Sequence, residues 1–310
     1  MKALAIDLGG SHATCAIVDD KIVLRAERLN LDSAQTLESA LPLFARAFRN
    51  LLQFAGIEAS ACEGLAFGSC GLVDSSAGRF LSMNQKWVDA PKVDVAAWCR
   101  QEFGLRFRLE NDARMALLGE WYAGGGPATN DLCMMTLGTG IGAAAMIEGK
   151  LLRGRHFQAG NLGGHTPVVL NGRPCTCGGI GCAEAEAGGW ALPGIAREWP
   201  NFAASALAIE PQINFEALFR LAARGDSVSR ELRDRCVQIW AATAVALVHS
   251  FDPEWIVMGG GVMRSADQIL PFIQDWLDRH TWTSGGKVRL RASALGNDAG
   301  LLGAIPLLRE

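Results

Sequence analysis

The chain has 310 residues, 49% of them hydrophobic, so it can bury a large core and is long enough for that core to split into two domains. A net charge of -3 leaves no basic excess for nucleic acid or an anionic membrane, and no apolar run approaches the roughly 18 residues of a membrane span, so small molecules are the expected partners. The nine cysteines are odd in number, and six stand singly in apolar surroundings, as at Cys15, Cys62 and Cys133, which speaks against a disulfide framework and for reduced core thiols.

The opening run MKALAIDLGG reads directly as a strand, with no charged leader or cleavage site, and a cytoplasmic location is expected. ALAID, TCAIV and KIVLRAE are short β-rich runs divided by turn residues. The periodic stretch from Ser33 to Phe54 predicts a helix capped by Ser33. GLAFG at 64 to 68 and RFRLE at 106 to 110 are further strands, the latter running into a helix with Met115, Leu118 and Trp121 at helical spacing. LCMMTLGTG opens a second α/β unit, and an offset of 129 matches Leu8 and Gly9 with Leu137 and Gly138, Ala16 with Ala145, Val18 with Ile147 and Lys21 with Lys150. This echo suggests two related domains facing each other. Residues 183 to 226 predict only short helices; Ser229 to Phe251, Ala266 to His280 and Ala299 to Leu308 read as helices, and EWIVMGGGV and KVRLRAS as strands.

Two glycine turns follow apolar strands, Gly9-Gly10-Ser11 after Asp7-Leu8 and Gly138-Thr139-Gly140 after Leu137. Small residues there let successive backbone N–H groups close on phosphate oxygens; the alternative is a pair of tight hairpin turns. Neither is a Walker A loop, because the Gly-Lys-Ser/Thr ending is missing. Asp7, at its strand end, could hold Mg²⁺ beside phosphates or be a plain strand-end carboxylate. Gly259 to Gly261 could admit a nucleotide base or ribose. At Glu110-Asn111-Asp112-Ala113 a strand gives way to a helix, and Asp112 is either its N-cap or the carboxylate that accepts a hydroxyl proton in phosphoryl transfer.

Cys175, Cys177 and Cys182, with glycines between them and His165 ten residues upstream, have the spacing of a closed Cys₃His site for structural Zn²⁺. Glu184 follows two residues after the last cysteine and would be held rigidly beside it.

Together, DLGGSHATCAIVD, ENDA, LGTGIG, Gly164-His165, CTCGGIGCAE and VMGGGV resemble the ROK family of sugar kinases, in the family's order over residues 7 to 263. The resemblance implies an α/β chain of the ribonuclease H-like, actin-type ATPase fold, with two domains facing a cleft that closes on ATP-Mg²⁺ and a hexose, usually as a homodimer. The expected boundaries are 1-113 plus 298-310 for the smaller domain and 114-297 for the larger, which carries the zinc knuckle. It further implies Asp112 as general base, commonly for the sugar 6-hydroxyl, with Asn84, Asn111, His165 and Glu184 on the sugar. Asp7, Gly9, Gly10, Ser11, Gly138, Thr139, Gly140 and Gly260 would lie on the nucleotide side. The chain departs from the family pattern GExGH, since AGNLGGH puts Leu162 where the sugar-binding Glu stands and Asn161 one position earlier. Asn161 is the expected substitute contact, and the preferred sugar is open among glucose, mannose, allose, fructose and N-acetylhexosamines. Ser11-His12 also replaces the common Thr-Lys, so a weakly catalytic sugar-binding or regulatory protein is the alternative. A DNA-binding helix-turn-helix is not expected, because the first strand begins at Lys2.

Overall fold

A computed structural model describes residues 1–10, 12–32, 35–83, 86–126 and 128–310. The chain divides into two compact units, one of Met1–Asn130, Leu151–Ala159 and Ser293–Glu310, the other of Asp131–Lys150 and Gly160–Ala292.

In the first unit, β1 (Lys2–Leu8) and β2 (His12–Asp19) form an antiparallel hairpin with Leu8 opposite Ala13, and β3 (Ile22–Asn30) extends it. Helix α1 (Leu37–Ala55) places Leu37, Ala40, Leu41, Phe44, Phe48 and Leu51 on one buried stripe, the spacing of an amphipathic helix. It starts later than the periodicity suggested, because Thr36 and Ser39 close a capping box that satisfies the first free N–H groups; Ser33 lies outside the described residues. Then come β4 (Cys62–Ser69), the small hairpin β5 (Leu72–Asp74) and β6 (Arg79–Ser82), α2 (Val95–Phe103), β7 (Phe107–Asn111) and α3 (Asp112–Ala123). The five-stranded sheet has the order β3-β2-β1-β4-β7, with β1, β4 and β7 parallel.

The second unit repeats this plan. β8 (Leu132–Leu137) and β9 (Ile141–Ile147) form the antiparallel hairpin and β10 (Lys150–Leu151) continues it. An irregular stretch leads to α4 (Ala183–Ala187), α5 (Leu192–Arg197), α6 (Phe215–Ala223) and the long α7 (Ser227–Phe251). β11 (Trp255–Gly259), α8 (Ala266–His280) and β12 (Arg289–Ala292) complete a sheet of order β10-β9-β8-β11-β12, again with its last three strands parallel. Two sheets of the same strand order, each with an antiparallel hairpin and its last three strands parallel, and with Leu8 and Leu137 each ending the first strand, give the sequence echo a structural counterpart.

The chain then returns to the first unit as α9 (Ala299–Leu302) and α10 (Ala304–Arg309). α3 belongs to this unit, beyond the expected boundary at 113, because it packs backbone to backbone on α9. A Cβ on Gly119 would lie 1.9 Å from the Ala299 carbonyl oxygen, and one on Gly303 would lie 2.1 Å from that of Met115. Cys15, Cys62, Cys99, Cys133 and Cys236 are buried free thiols, while Cys70 is half-buried. Among the described residues no helix is long and apolar enough to cross a membrane.

Candidate active site

In the first unit the parallel register sets Asp7 opposite Gly68 and Gly68 opposite Glu110. Asp7 and the Glu110-Asn111-Asp112 segment therefore emerge at the same C-terminal edge of the sheet, where α/β folds carry ligand loops. Asp112 is not the helix cap. Asn111 caps α3, its Oδ1 accepting from the N–H groups of Ala113 and Arg114, while its Nδ2 donates to the Gly71 carbonyl at 3.1 Å. Asp112 is the first helical residue, and its Oδ1 takes the Ala113 N–H at 2.8 Å. Burial, then the negative charge of Asp112, push the Asp7 carboxyl up to about 7; burial also raises Asp112 above the usual carboxylate range. The charge on Asp112 disfavours ionisation of Asp7, and two carboxylates at this edge form a donor set suited to a divalent cation and to a proton acceptor. Trp87 is buried, and its indole N–H donates to the Gly9 carbonyl at 3.0 Å, which ties this residue to the first glycine turn. Gly10 is in this turn; Ser11 and Asn84 lie outside the described residues.

Beneath Asp112 is a buried ionic network that sequence reasoning missed. The Glu110 carboxylate, 0% exposed, accepts from the Asn111 N–H (2.9 Å), Ser75 Oγ (2.9 Å), Arg153 Nε (2.7 Å) and Arg114 Nη1 (3.3 Å). Arg114 also donates through Nη2 to the carbonyls of Phe157 and Ala159 at 3.2 and 2.7 Å, and Arg153 reaches Glu310 at 2.6 Å. An arginine four residues after a glutamate reads from sequence as an exposed helix pair, so nothing in the pattern revealed it.

In the second unit, Gly138, Thr139 and Gly140 make the turn between β8 and β9, closed by the Gly138 N–H on the Gly140 carbonyl at 3.0 Å. Gly260 adopts a φ of 88° and a Cβ there would sit 2.2 Å from the Leu137 carbonyl oxygen, so the third glycine run lies against the end of β8 beside this turn.

The knuckle follows in the same unit. The ligand atoms of His165, Cys175, Cys177 and Cys182 all lie within 4.8 Å of one another, with Cys177 and Cys182 sulfurs 3.7 Å apart and Cys175 sulfur 3.5 Å from His165 Nδ1. A tetrahedral ion with bonds of about 2.3 Å to sulfur and about 2.0–2.1 Å to nitrogen sets those pairs about 3.8 and about 3.6 Å apart, so the residues present fit Zn²⁺. Gly181, at φ 69°, permits the fold-back that brings Cys182 round; a Cβ there would lie 1.6 Å from the Val169 carbonyl oxygen. With Nδ1 turned to the sulfurs, His165 keeps Nε2 for another partner. Glu184 stands in the first turn of α4, its Oε2 accepting from the Ile141 N–H at 2.8 Å and its Oε1 from Trp190 Nε1 at 3.1 Å. Trp190 was not singled out by the sequence.

The departure from GExGH has a clear structural form. Asn161 is 9% exposed and its Oδ1 has no hydrogen-bond partner among the described residues, whereas Leu162 is 37% exposed. An unpartnered buried acceptor costs stability unless something donates to it, so Asn161 Oδ1, and not the apolar Leu162 side chain, is the atom here that calls for a donor.

Comparison with known proteins bears on these features. The family model described as the ROK family matches residues 3–310. The glucokinase of Thermotoga maritima is 32% identical across all of this chain and 98% of its own length. An N-acetylmannosamine kinase of Pasteurella multocida is 27% identical, covering 98% of this chain and 95% of its own. The crystal structure of a ROK family glucokinase from Streptomyces griseus, in complex with glucose and AMPPNP, superposes with a TM-score of 0.83 at 28% identity over 100% of this chain and 99% of that one. The chain shares the actin-type ATPase fold of these kinases, and it belongs to the ROK family.

Proposed function

We propose that this protein transfers the terminal phosphoryl group of ATP to a hexose hydroxyl, O6 of glucose in the first instance, with Asp112 as general base. The chain is an ATP-dependent sugar kinase, and glucokinases are among its relatives. The observation that carries the finer reading is that Asn111, and not Asp112, caps α3, which leaves a carboxylate of raised pKa at the helix start to accept the sugar proton. Asp7 would hold Mg²⁺, whose charge offsets that developing on the phosphates. The glycine turns at Gly9, Gly10 and Ser11 and at Gly138, Thr139 and Gly140, with Gly260, would contact the nucleotide. Asn84, Asn111, Asn161, His165 through Nε2 and the remaining lone pairs of Glu184 would contact the sugar. We assign structural Zn²⁺ to His165, Cys175, Cys177 and Cys182, a closed set that holds its loop and leaves no position for activating water. A homodimer in the cytoplasm, where thiols stay reduced and ATP is available, completes the proposal.

ADP release measured over glucose, mannose, allose, fructose and N-acetylhexosamines is the direct test. Turnover of at least one sugar is expected, with Asp112→Asn lowering kcat by about 10²–10⁴. No turnover of any sugar would favour the sugar-binding or regulatory alternative, and a loss smaller than tenfold would remove Asp112 from the role of base.

A further inference from the structure

The turn at Gly138 to Gly140 is held from one side by a strap that starts at the cysteine knuckle. Gly189 donates its N–H to the Gly138 carbonyl at 3.1 Å and Trp190 donates its N–H to the Thr139 carbonyl at 2.9 Å. In a trans peptide the carbonyl and the following N–H point in opposite directions. With both carbonyls drawn to the strap, the N–H groups of Thr139 and Gly140 are aimed together to the other side, the arrangement that grips an anionic oxygen. The next N–H, that of Ile141, is taken by Glu184 Oε2, while Glu184 Oε1 receives the indole N–H of Trp190. Glu184 thus joins both ends of the strap, two residues after the ligand Cys182. The fit is tight, since a Cβ on Gly140 would lie 2.3 Å from Glu184 Oε2 and one on Gly189 would lie 2.5 Å from the Gly138 carbonyl oxygen.

We propose that Glu184 and Trp190 are positioning residues for the phosphate-binding turn, so that the knuckle orders the nucleotide side of the site as well as the sugar side. The inference rests on the reading of this turn as a nucleotide contact. Its chemical basis is that a carboxylate offers two acceptor oxygens and stands between two N–H donors, whereas an amide must set its own NH₂ against one of them. Glu184→Gln therefore breaks one arm of the strap at constant size, and Trp190→Phe removes the indole donor while keeping an aromatic ring.

Calorimetric titration of ADP-Mg²⁺ without sugar, on wild-type protein and both variants, tests the proposal. Loss of a hydrogen bond to a charged group predicts ADP affinity about tenfold weaker for Glu184→Gln, and about threefold weaker for Trp190→Phe, where the Ile141 bond remains. Trp190→Phe should leave affinity for the best-turned-over sugar unchanged, a split that general loosening of the fold would not produce. Should Glu184→Gln fail to fold, Trp190→Phe decides alone, because that side chain is 40% exposed and its removal threatens no core. Wild-type ADP affinity in the variants, or equal weakening of ADP and sugar in Trp190→Phe, overturns the proposal alone. A wild-type protein that binds no ADP overturns it together with the reading of the turn.

Discussion

Two regions of this molecule hold their candidate site residues by opposite means. At the β7–α3 junction, Asp112 is fixed by regular structure, with strand pairing on one side, a capped helix on the other and the Glu110 network below. At the knuckle, from Gly163 to Cys182, regular structure is limited to the short 3₁₀ turn Gly163–His165 and two isolated bridges, Pro167 with Cys182 and Pro174 with Ile180, and four side chains converge on one point instead. A strand-helix junction draws on cooperative backbone hydrogen bonding over many residues, whereas a loop of this kind depends on a few strong contacts whose loss is felt at once. The difference predicts that perturbing the two regions will differ in size as well as in consequence.

The largest effect is expected at the knuckle. Purified protein should carry about one equivalent of zinc per chain, and Cys177→Ser or strong chelation should remove it and lower the thermal midpoint, since metal binding in isolated knuckles amounts to about 10 kcal/mol. Metal analysis paired with thermal unfolding checks this. Metal-free protein of full stability would show that the loop stands on its own hydrogen bonds, and the contrast between the two regions would disappear.

A smaller but still large effect is expected at the junction. Arg114→Met leaves Glu110 with Arg153, Ser75 and the Asn111 N–H but strands the carbonyls of Phe157 and Ala159, and breaking a buried pair in this way costs about 3–5 kcal/mol. Urea unfolding should report that loss without any change in zinc content. If zinc were lost as well, the two regions would not be independent.

The sequence disclosed these regions unequally, for physical reasons. Ligand spacing is local, so His165, Cys175, Cys177 and Cys182 could be grouped without any fold. Strands and long helices were legible from periodicity, and α8 came out at its observed bounds, Ala266–His280. Whether Asp112 capped its helix could not be read, because Asn111 and Asp112 are both good caps and only backbone geometry separates them. Trp190 and Arg153 find their partners 6 and 43 residues away, at separations that no local pattern encodes. The α1 start was misplaced because Ser33 and Thr36 are equally plausible caps in the sequence, and the reciprocal bond from Ser39 favours the second.

The smallest effect concerns a contact that supports the knuckle from a distance. α7 braces the end of α4, Arg235 Nη1 donating to the Glu186 carbonyl at 2.8 Å and Trp240 Nε1 to that of Ala187 at 3.1 Å. Asp226 caps α7, accepting from the Ser229 N–H (2.8 Å), Ser205 Oγ (2.8 Å) and the Ala206 N–H (2.9 Å). Burial raises its carboxyl, but these hydrogen bonds outweigh burial and hold it down at about 2. A folded-state pKa below the unfolded value of about 3.9 means that the carboxylate stabilises the fold fully above that value and loses its effect as pH falls towards 2. Asp226→Ala should therefore cost about 1 kcal/mol in urea unfolding at pH 7, the usual scale of an N-cap, and the gap from wild type should narrow below about pH 4. Because α7 runs on through Phe251 and the first turn alone loses its cap, zinc content should not change. A gap that stays constant with pH would assign the cost to packing of the first turn and not to charge on Asp226.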